Sequence, residues 1–281
     1  VTYCCEPTVC TFEMVEALAS DAEKLGKQVR VHLMVDTGMG RIGITPDEVI
    51  PFLERCREYP TINVRGVMSH FPCADETNKT LSLEQIEIFQ RIKEMTREFD
   101  IEVYHMANSA AIFDLPGSHF DAVRPGIAIY GLPPSQEIVN PRVHELKPVL
   151  EWKTQITFLK EVPAQTGLSY GHAFHTHKPS LIATVPVGYG DGLSRNLTNN
   201  MDMLVQGVRC PQVGRITMDQ SLLDVSHLRG KVKQGDEVVI IGQQYKEKIT
   251  ADELAIKLGT INYEVVTSIA QRVNRIIVEG K

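Results

Sequence analysis

Apolar residues in the first half of the chain recur at two alternating periods. "CTFEMVEALASDAEKLG" puts Phe12, Val15, Leu18, Ala22 and Leu25 at helical spacing behind Thr11, a candidate N-cap. "RVHLMVDTG" follows as a strand. "TPDEVIPFLERCREY" opens with a capping box, Thr45 to Glu48, with Pro46 at the first helical position. "VRGVMSHF" is the next strand. "SLEQIEIFQRIKEMTREF" repeats the capping signal with Ser82 and Gln85, and sets Leu83, Ile86, Phe89 and Ile92 on one face. "EVYHMANSA" and "AVRPGIAIYG" read as further strands. In the last of these, Asp121 to Tyr130, the apolar weight comes from Val123, Ile127, Ile129 and Tyr130, yet Arg124 stands directly before Pro-Gly. Arginine is almost never fully buried without a partner, so Arg124 must face something.

This βαβα order predicts an α/β fold, a parallel sheet covered by helices. Each predicted strand ends in polar residues: Asp36 to Arg41, Ser69-His70, Asn108-Ser109, Arg124. In a (β/α)₈ TIM barrel, functional residues sit at those carboxyl ends. About four or five strand–helix units are countable, where a closed barrel uses eight over about 250 residues. On that arithmetic roughly 100 residues are missing ahead of Val1.

After residue 145 the pattern shifts to β-like runs divided by Gly, Asn and Pro: "VLEWKTQITFLKEV", "SLIATVPVGYG", "MDMLVQGVRCPQVGRITMDQSLLDV" and "DEVVIIG". One helix interrupts, "TADELAIKLG", capped by Thr250 and Glu253 and stopped at Gly259. The expected division is therefore the C-terminal portion of a barrel over residues 1–145 and a β-rich domain over 146–281.

Composition narrows the function classes. A net charge of −6 on 281 residues, without a Lys/Arg cluster, argues against a nucleic-acid or anionic-membrane surface. No apolar run reaches about 18 residues, so none spans a membrane. The start, "VTYCCEPTVC", has no signal-peptide pattern and no initiator Met, as expected of a chain that begins inside a longer gene product. Cys4, Cys5, Cys10, Cys56, Cys73 and Cys210 form no C-x-x-C pair and read as free thiols in a reducing compartment. No metal site is expected.

Several turns carry candidate chemistry. "VDTGMGRIG" is a glycine-rich turn able to bring backbone N–H groups near an anion. It is neither a Walker loop nor a dinucleotide fingerprint, and Arg41 is its ligand-capable residue. "HMANSAAIF" puts Asn108 and Ser109 at a helical start, which reads equally as a phosphate site or an ordinary N-cap. Gly126 and Ile127 offer amides beside Arg124. Tyr170, Tyr189 and Asp219 each stand in a Gly-containing turn, and each taken alone reads as a surface turn or a site residue.

Together, "VHLMVDTGMGRIGI", "HMANSAAIF", "VRPGIAIYG", "LSYGHAF", "VPVGYGDG", "VGRITMDQ" and "GTINYEVV" follow the order and approximate spacing of the alanine racemase family. The chain resembles that family over essentially its whole length. The resemblance implies pyridoxal 5′-phosphate (PLP) at the mouth of an α/β barrel, an appended β domain, and a head-to-tail homodimer with shared active sites. It implies that Arg124 faces the pyridine nitrogen and that His70 supports it. It maps Asn108, Ser109, Gly126, Ile127 and Tyr263 to the phosphate end, and Arg41 to the phenolic oxygen. It maps Tyr170 to a catalytic base acting in the partner's site. Met218 and Asp219 map to the substrate carboxylate, and Tyr189 to the entrance.

The implied activity is interconversion of L- and D-alanine in the cytoplasm, for peptidoglycan. Two alternatives share the resemblance: a serine racemase of the vancomycin-resistance type, preceded by a membrane domain, and a PLP-binding chain without activity. The sequence departs from the family twice. The Schiff-base lysine belongs to an N-terminal strand that none of these motifs contains. Where many members carry a carbamylated lysine before D-T-G, this chain has Met34, which cannot be carbamylated.

Overall fold

The computed structural model describes residues 1–3 and 5–278. The free thiol expected at Cys4 lies outside them; Cys5, Cys10, Cys56, Cys73 and Cys210 are all free. The chain divides into two compact units, Val1–Lys147 and Pro148–Lys281.

In the first unit strands alternate with helices: β1 (Thr8–Val9), α1 (Phe12–Lys24), β2 (Val29–Met34), α2 (Val49–Cys56), β3 (Ile62–Met68), α3 (Thr80–Met95), β4 (Val103–His105) and α4 (Ser109–Asp114). The strands pair in parallel in the order β1-β2-β3-β4. Parallel neighbours need crossover connections, and α1, α2 and α3 supply them. Val31 and Leu33 of β2, Val67 of β3, Phe52 and Leu53 of α2, and Phe89 and Ile92 of α3 meet in one buried core. Burying a side chain of this size stabilises by about 1.5–3 kcal/mol.

Local signals act as their chemistry requires. The Thr11 hydroxyl accepts the Met14 N–H at 3.4 Å and starts α1. The Glu48 carboxylate accepts from the Thr45 N–H and hydroxyl, both at 2.8 Å, around a 3-10 turn at Pro46–Glu48 that leads into α2.

Two expectations need correction. Ser82 and Gln85 do not cap α3, which begins at Thr80; both are fully buried, whereas Leu83 is exposed. The 121–130 segment is not a buried strand. It makes one bridge, His105 with Ala122, and then a 3-10 helix at Ile127–Tyr130. Pro125 has no N–H to continue a ladder, so the chain turns, leaving Val123, Ile129 and Tyr130 exposed and only Ile127 buried.

The second unit is mostly antiparallel. It contains β5 (Trp152–Gln155), β6 (Phe158–Val162), β7 (Gly167–Leu168), β8 (Phe174–His175), β9 (Ser180–Val185), β10 (Asp202–Val205), β11 (Val208–Pro211), β12 (Ser221–Asp224), β13 (Glu237–Gln244) and β14 (Glu247–Ile249). One sheet runs β11-β10-β13-β14, with β5 also on β13; a second runs β12-β9-β6; β7 and β8 form a ribbon. Helix α5 (Ala251–Leu258) starts where the Thr250 hydroxyl accepts the Glu253 N–H at 3.0 Å and stops at left-handed Gly259. A second helix, α6 (Asn262–Thr267), was not expected from "INYEVV", whose β-branched residues mask it. Among the described residues no helix is long and apolar enough to cross a membrane.

Candidate functional site

In the first unit the polar residues collect where the strands end, around Arg124. Its Nη1 donates to His105 Nδ1 at 2.6 Å and to the His105 carbonyl at 3.1 Å. Its Nη2 donates to the Ser69 carbonyl at 2.7 Å and lies 3.2 Å from His70 Nδ1 and 3.4 Å from the Met106 carbonyl. Every one of these acceptors is neutral. Burial lowers the guanidinium pKa to about 10, so Arg124 stays charged at neutral pH without a paired carboxylate. The Nε–H has no partner among the described residues. A neutral lone pair such as a pyridine nitrogen suits that remaining donor.

His105 is the residue that sequence reasoning missed. Because the guanidinium can only donate, His105 Nδ1 must accept. Its Nε2–H then donates to His32 Nδ1 at 2.8 Å, and His32 Nε2–H donates to Glu6 at 3.0 Å. The bonds point one way, from cation to carboxylate, through two neutral imidazoles. Burial, and then the Arg124 charge, push the His105 pKa down to about 4. The His32 bond and the Arg65 guanidinium, which holds Glu6 at 2.8 and 2.9 Å, keep Glu6 below the usual carboxylate range.

Gly66 makes this relay possible. His32 on β2 and His105 on β4 are separated by β3, and Gly66 is the β3 residue opposite His32. A Cβ at position 66 would lie 2.2 Å from His32 Nδ1. The signal was present as a glycine inside "VRGVM" between two histidine-bearing strands, but it is readable only once strand order is known.

The remaining first-unit residues fall as follows. His70 is half-buried, and burial, Arg124 and then Arg41 lower its pKa. The Ser109 hydroxyl accepts the Gly126 N–H at 2.8 Å and the Ala128 N–H at 3.3 Å, while the Ile127 N–H between them has no partner among the described residues. Ser109 O–H and Ile127 N–H therefore form a donor set that suits a phosphate. Asn108 is the N-cap of α4, accepting the Ala111 N–H at 3.0 Å. The glycine-rich turn does not present its amides to a ligand: the Asp36 carboxylate takes Gly38, Met39 and Gly40 N–H at 2.8–3.1 Å. Arg41 is exposed and Met34 is buried at the end of β2.

The other expected residues lie in the second unit. Tyr170 is 72% exposed. It follows Ser169, held at φ 61° and ψ −173°, a conformation nearly reserved for glycine. The Ser169 hydroxyl donates to the Arg215 carbonyl at 2.7 Å, which helps hold the turn. Tyr170 and Tyr189 line a cavity of about 720 Å³ with Arg195, Arg215, Ile216 and Thr217. Two loops meet there, with Tyr189 N–H on the Thr217 carbonyl at 3.0 Å and Gly190 N–H on the Met218 carbonyl at 2.9 Å. The Met218 N–H has no partner among the described residues. Arg272 spans Asp191 at 2.8 Å and Asp219 at 2.7 Å. Tyr263 stands in α6, where its carbonyl accepts from the Thr267 hydroxyl.

Two family models match this chain, the alanine racemase N-terminal domain over residues 1–134 and the alanine racemase C-terminal domain over 149–277. The first match begins at residue 1, so it lends no support to the expected loss of a lysine-bearing segment ahead of Val1. An alanine racemase of Clostridium novyi is 44% identical over 278 residues, which cover 98% of this chain and 72% of that protein. One from Halothermothrix orenii is 45% identical, covering 96% and 71%. Among solved structures, the alanine racemase of Streptomyces coelicolor has a TM-score of 0.90 at 36% identity, covering 97% of this chain and 72% of that one. That of Bacillus anthracis with bound L-Ala-P has a TM-score of 0.87 at 38% identity, covering 97% and 70%.

Proposed function

The chain belongs to the alanine racemase family, and from that premise we propose that it interconverts L- and D-alanine with PLP, by two-base proton transfer at Cα. The observation that carries this reading is Arg124: four of its N–H donors are committed to neutral acceptors, and the Nε–H is left over. When bound, PLP supplies an electron-accepting ring that acidifies the α-proton of an attached amino acid.

The chain's own residues do the rest. Arg124 donates to the ring nitrogen but does not protonate it, because its pKa lies near 10, far above that of a pyridine. Within the first unit, the Ser109 hydroxyl and the Ile127 N–H hold the phosphate, with Gly126 and the Asn108 cap setting their turn. In the first unit Arg41 contacts the phenolic oxygen of PLP, beside the substrate; in the second unit the Met218 N–H contacts a substrate carboxylate.

Tyr170 moves a proton on one face, reaching the partner's site in a homodimer. Arg195 and Arg215 share its cavity. Two-base transfer needs a second proton carrier on the opposite face of Cα. A cytoplasmic location suits the five free thiols among the described residues. D-alanine for peptidoglycan is the expected use.

The test is turnover with added PLP. The full chain is expected to form D-alanine from L-alanine with a kcat/KM above that for L-serine. The reverse preference would make it a serine racemase. A PLP spectrum without turnover of either would make it a binding protein.

A further inference from the structure

We infer that Gln85 of α3 is a positioning residue that holds the Arg41-bearing loop against the strand ends carrying His70 and Arg124; the inference rests on the racemase reading for what Arg41 does. Gln85 is fully buried. Its Nε2 donates to Thr37 Oγ1 at 3.0 Å and to the His70 carbonyl at 3.1 Å. Thr37 Oγ1 lies 2.7 Å from Ser69 Oγ, and the Ser69 carbonyl accepts Arg124 Nη2 at 2.7 Å. A single amide nitrogen thus joins the loop after β2 to the segment after β3, and through Ser69 to Arg124.

The polarity of this junction is fixed. A carbonyl only accepts, so the NH₂ side of Gln85 must face His70. Thr37 then accepts from Gln85, and its hydroxyl pairs with that of Ser69, either one donating. Arg41, four residues beyond Thr37, makes no side-chain bond among the described residues, so its placement depends on how the loop is anchored. Asp36 ties the loop's amides to each other, while Gln85 ties the loop to the wall of the site. The side chain packs 3.5 Å from where a Cβ of Gly38 would stand.

Stability alone does not explain this residue. Gln85 Oε1 is buried without a hydrogen bond, a costly state that a leucine of similar size would not impose. Gln85→Leu removes that cost but also takes the donor away from Thr37 Oγ1 and the His70 carbonyl, so a purely structural role predicts a changed melting temperature with function following it. A positioning role predicts lost function with the fold intact.

The experiment compares wild type, Gln85→Leu and Thr37→Val in the full chain, with amide hydrogen exchange and alanine kinetics in the presence of PLP. Exchange at residues 37–41 is expected to accelerate at least tenfold in both variants, with β4 and the melting temperature unchanged. KM for alanine is expected to rise about tenfold, while PLP affinity stays within twofold. In an Arg41→Lys background, Gln85→Leu should add less than a further twofold to KM. Unchanged loop exchange, a loss spread evenly over the whole unit, or effects that multiply in the double variant would overturn the inference. A wild type that turns over no alanine would sink the racemase reading instead, and loop exchange would still judge Gln85.

Discussion

His105 ties the fold to pH in a way that can be calculated. Its imidazole is buried, 7% exposed, and must be neutral to accept from Arg124. Its pKa is about 4 in the fold, against about 6.5 in an unfolded chain. Between those values the unfolded chain binds the extra proton, so stability is complete above about pH 6.5 and falls as pH drops towards 4. The loss from this one residue is about 2 kcal/mol at pH 5 and about 3 kcal/mol at pH 4. His70, lowered in the same sense, adds to the total, so the measurement must isolate position 105. His105→Asn keeps an acceptor near Arg124 and cannot titrate. Urea midpoints at pH 8 and pH 5, followed by circular dichroism, should fall less in the variant by about 2 kcal/mol. The His105 ring carbon resonance, identified by its absence in the variant, should titrate near pH 4. An identical pH loss in both proteins, or a ring titrating near 6.5, would refute the reasoning.

Other substitutions test neighbouring parts. Gly66→Ala puts a Cβ 2.2 Å from His32 Nδ1 and 2.9 Å from the Val103 carbonyl; it should cost about 2–4 kcal/mol in urea denaturation, from overpacking and a lost buried bond, and a cost under about 0.5 kcal/mol would contradict the relay. Tyr170→Phe alters an exposed side chain, so its melting curve should match wild type while racemisation drops about 100-fold or more; retained activity would remove Tyr170 from proton transfer. Arg124→Lys cannot reproduce a forked donor and should lower kcat more than tenfold, with a changed PLP absorption band; kinetics like the wild type would show that the fork is unimportant.

The βα order of the first unit is legible because period and caps agree in each segment: Thr11 and Thr45 both act at helix starts. The third helix shows where local signals fail. Ser82 and Gln85 have capping-box spacing, yet Thr80 starts the helix and the tertiary packing takes both side chains inward. "DAVRPGIAIY" reads as a strand on apolarity, but Pro125 ends the ladder. Arg124 announces itself as a cation in an apolar run. Its partners do not, because His105 lies 19 residues away, Ser69 lies 55 away, and only the sheet order brings them together. The Glu6–His32–His105 relay depends on Gly66 being opposite His32, a matter of register that no single segment encodes.

The central claim is that the Arg124 site serves racemisation of alanine. It is tested most directly by incubating the full chain with PLP and L-alanine in D₂O and following the Cα proton by NMR. The account predicts loss of the Cα–H signal together with the appearance of D-alanine. Bound PLP with the Cα proton retained and no D-alanine formed would contradict it.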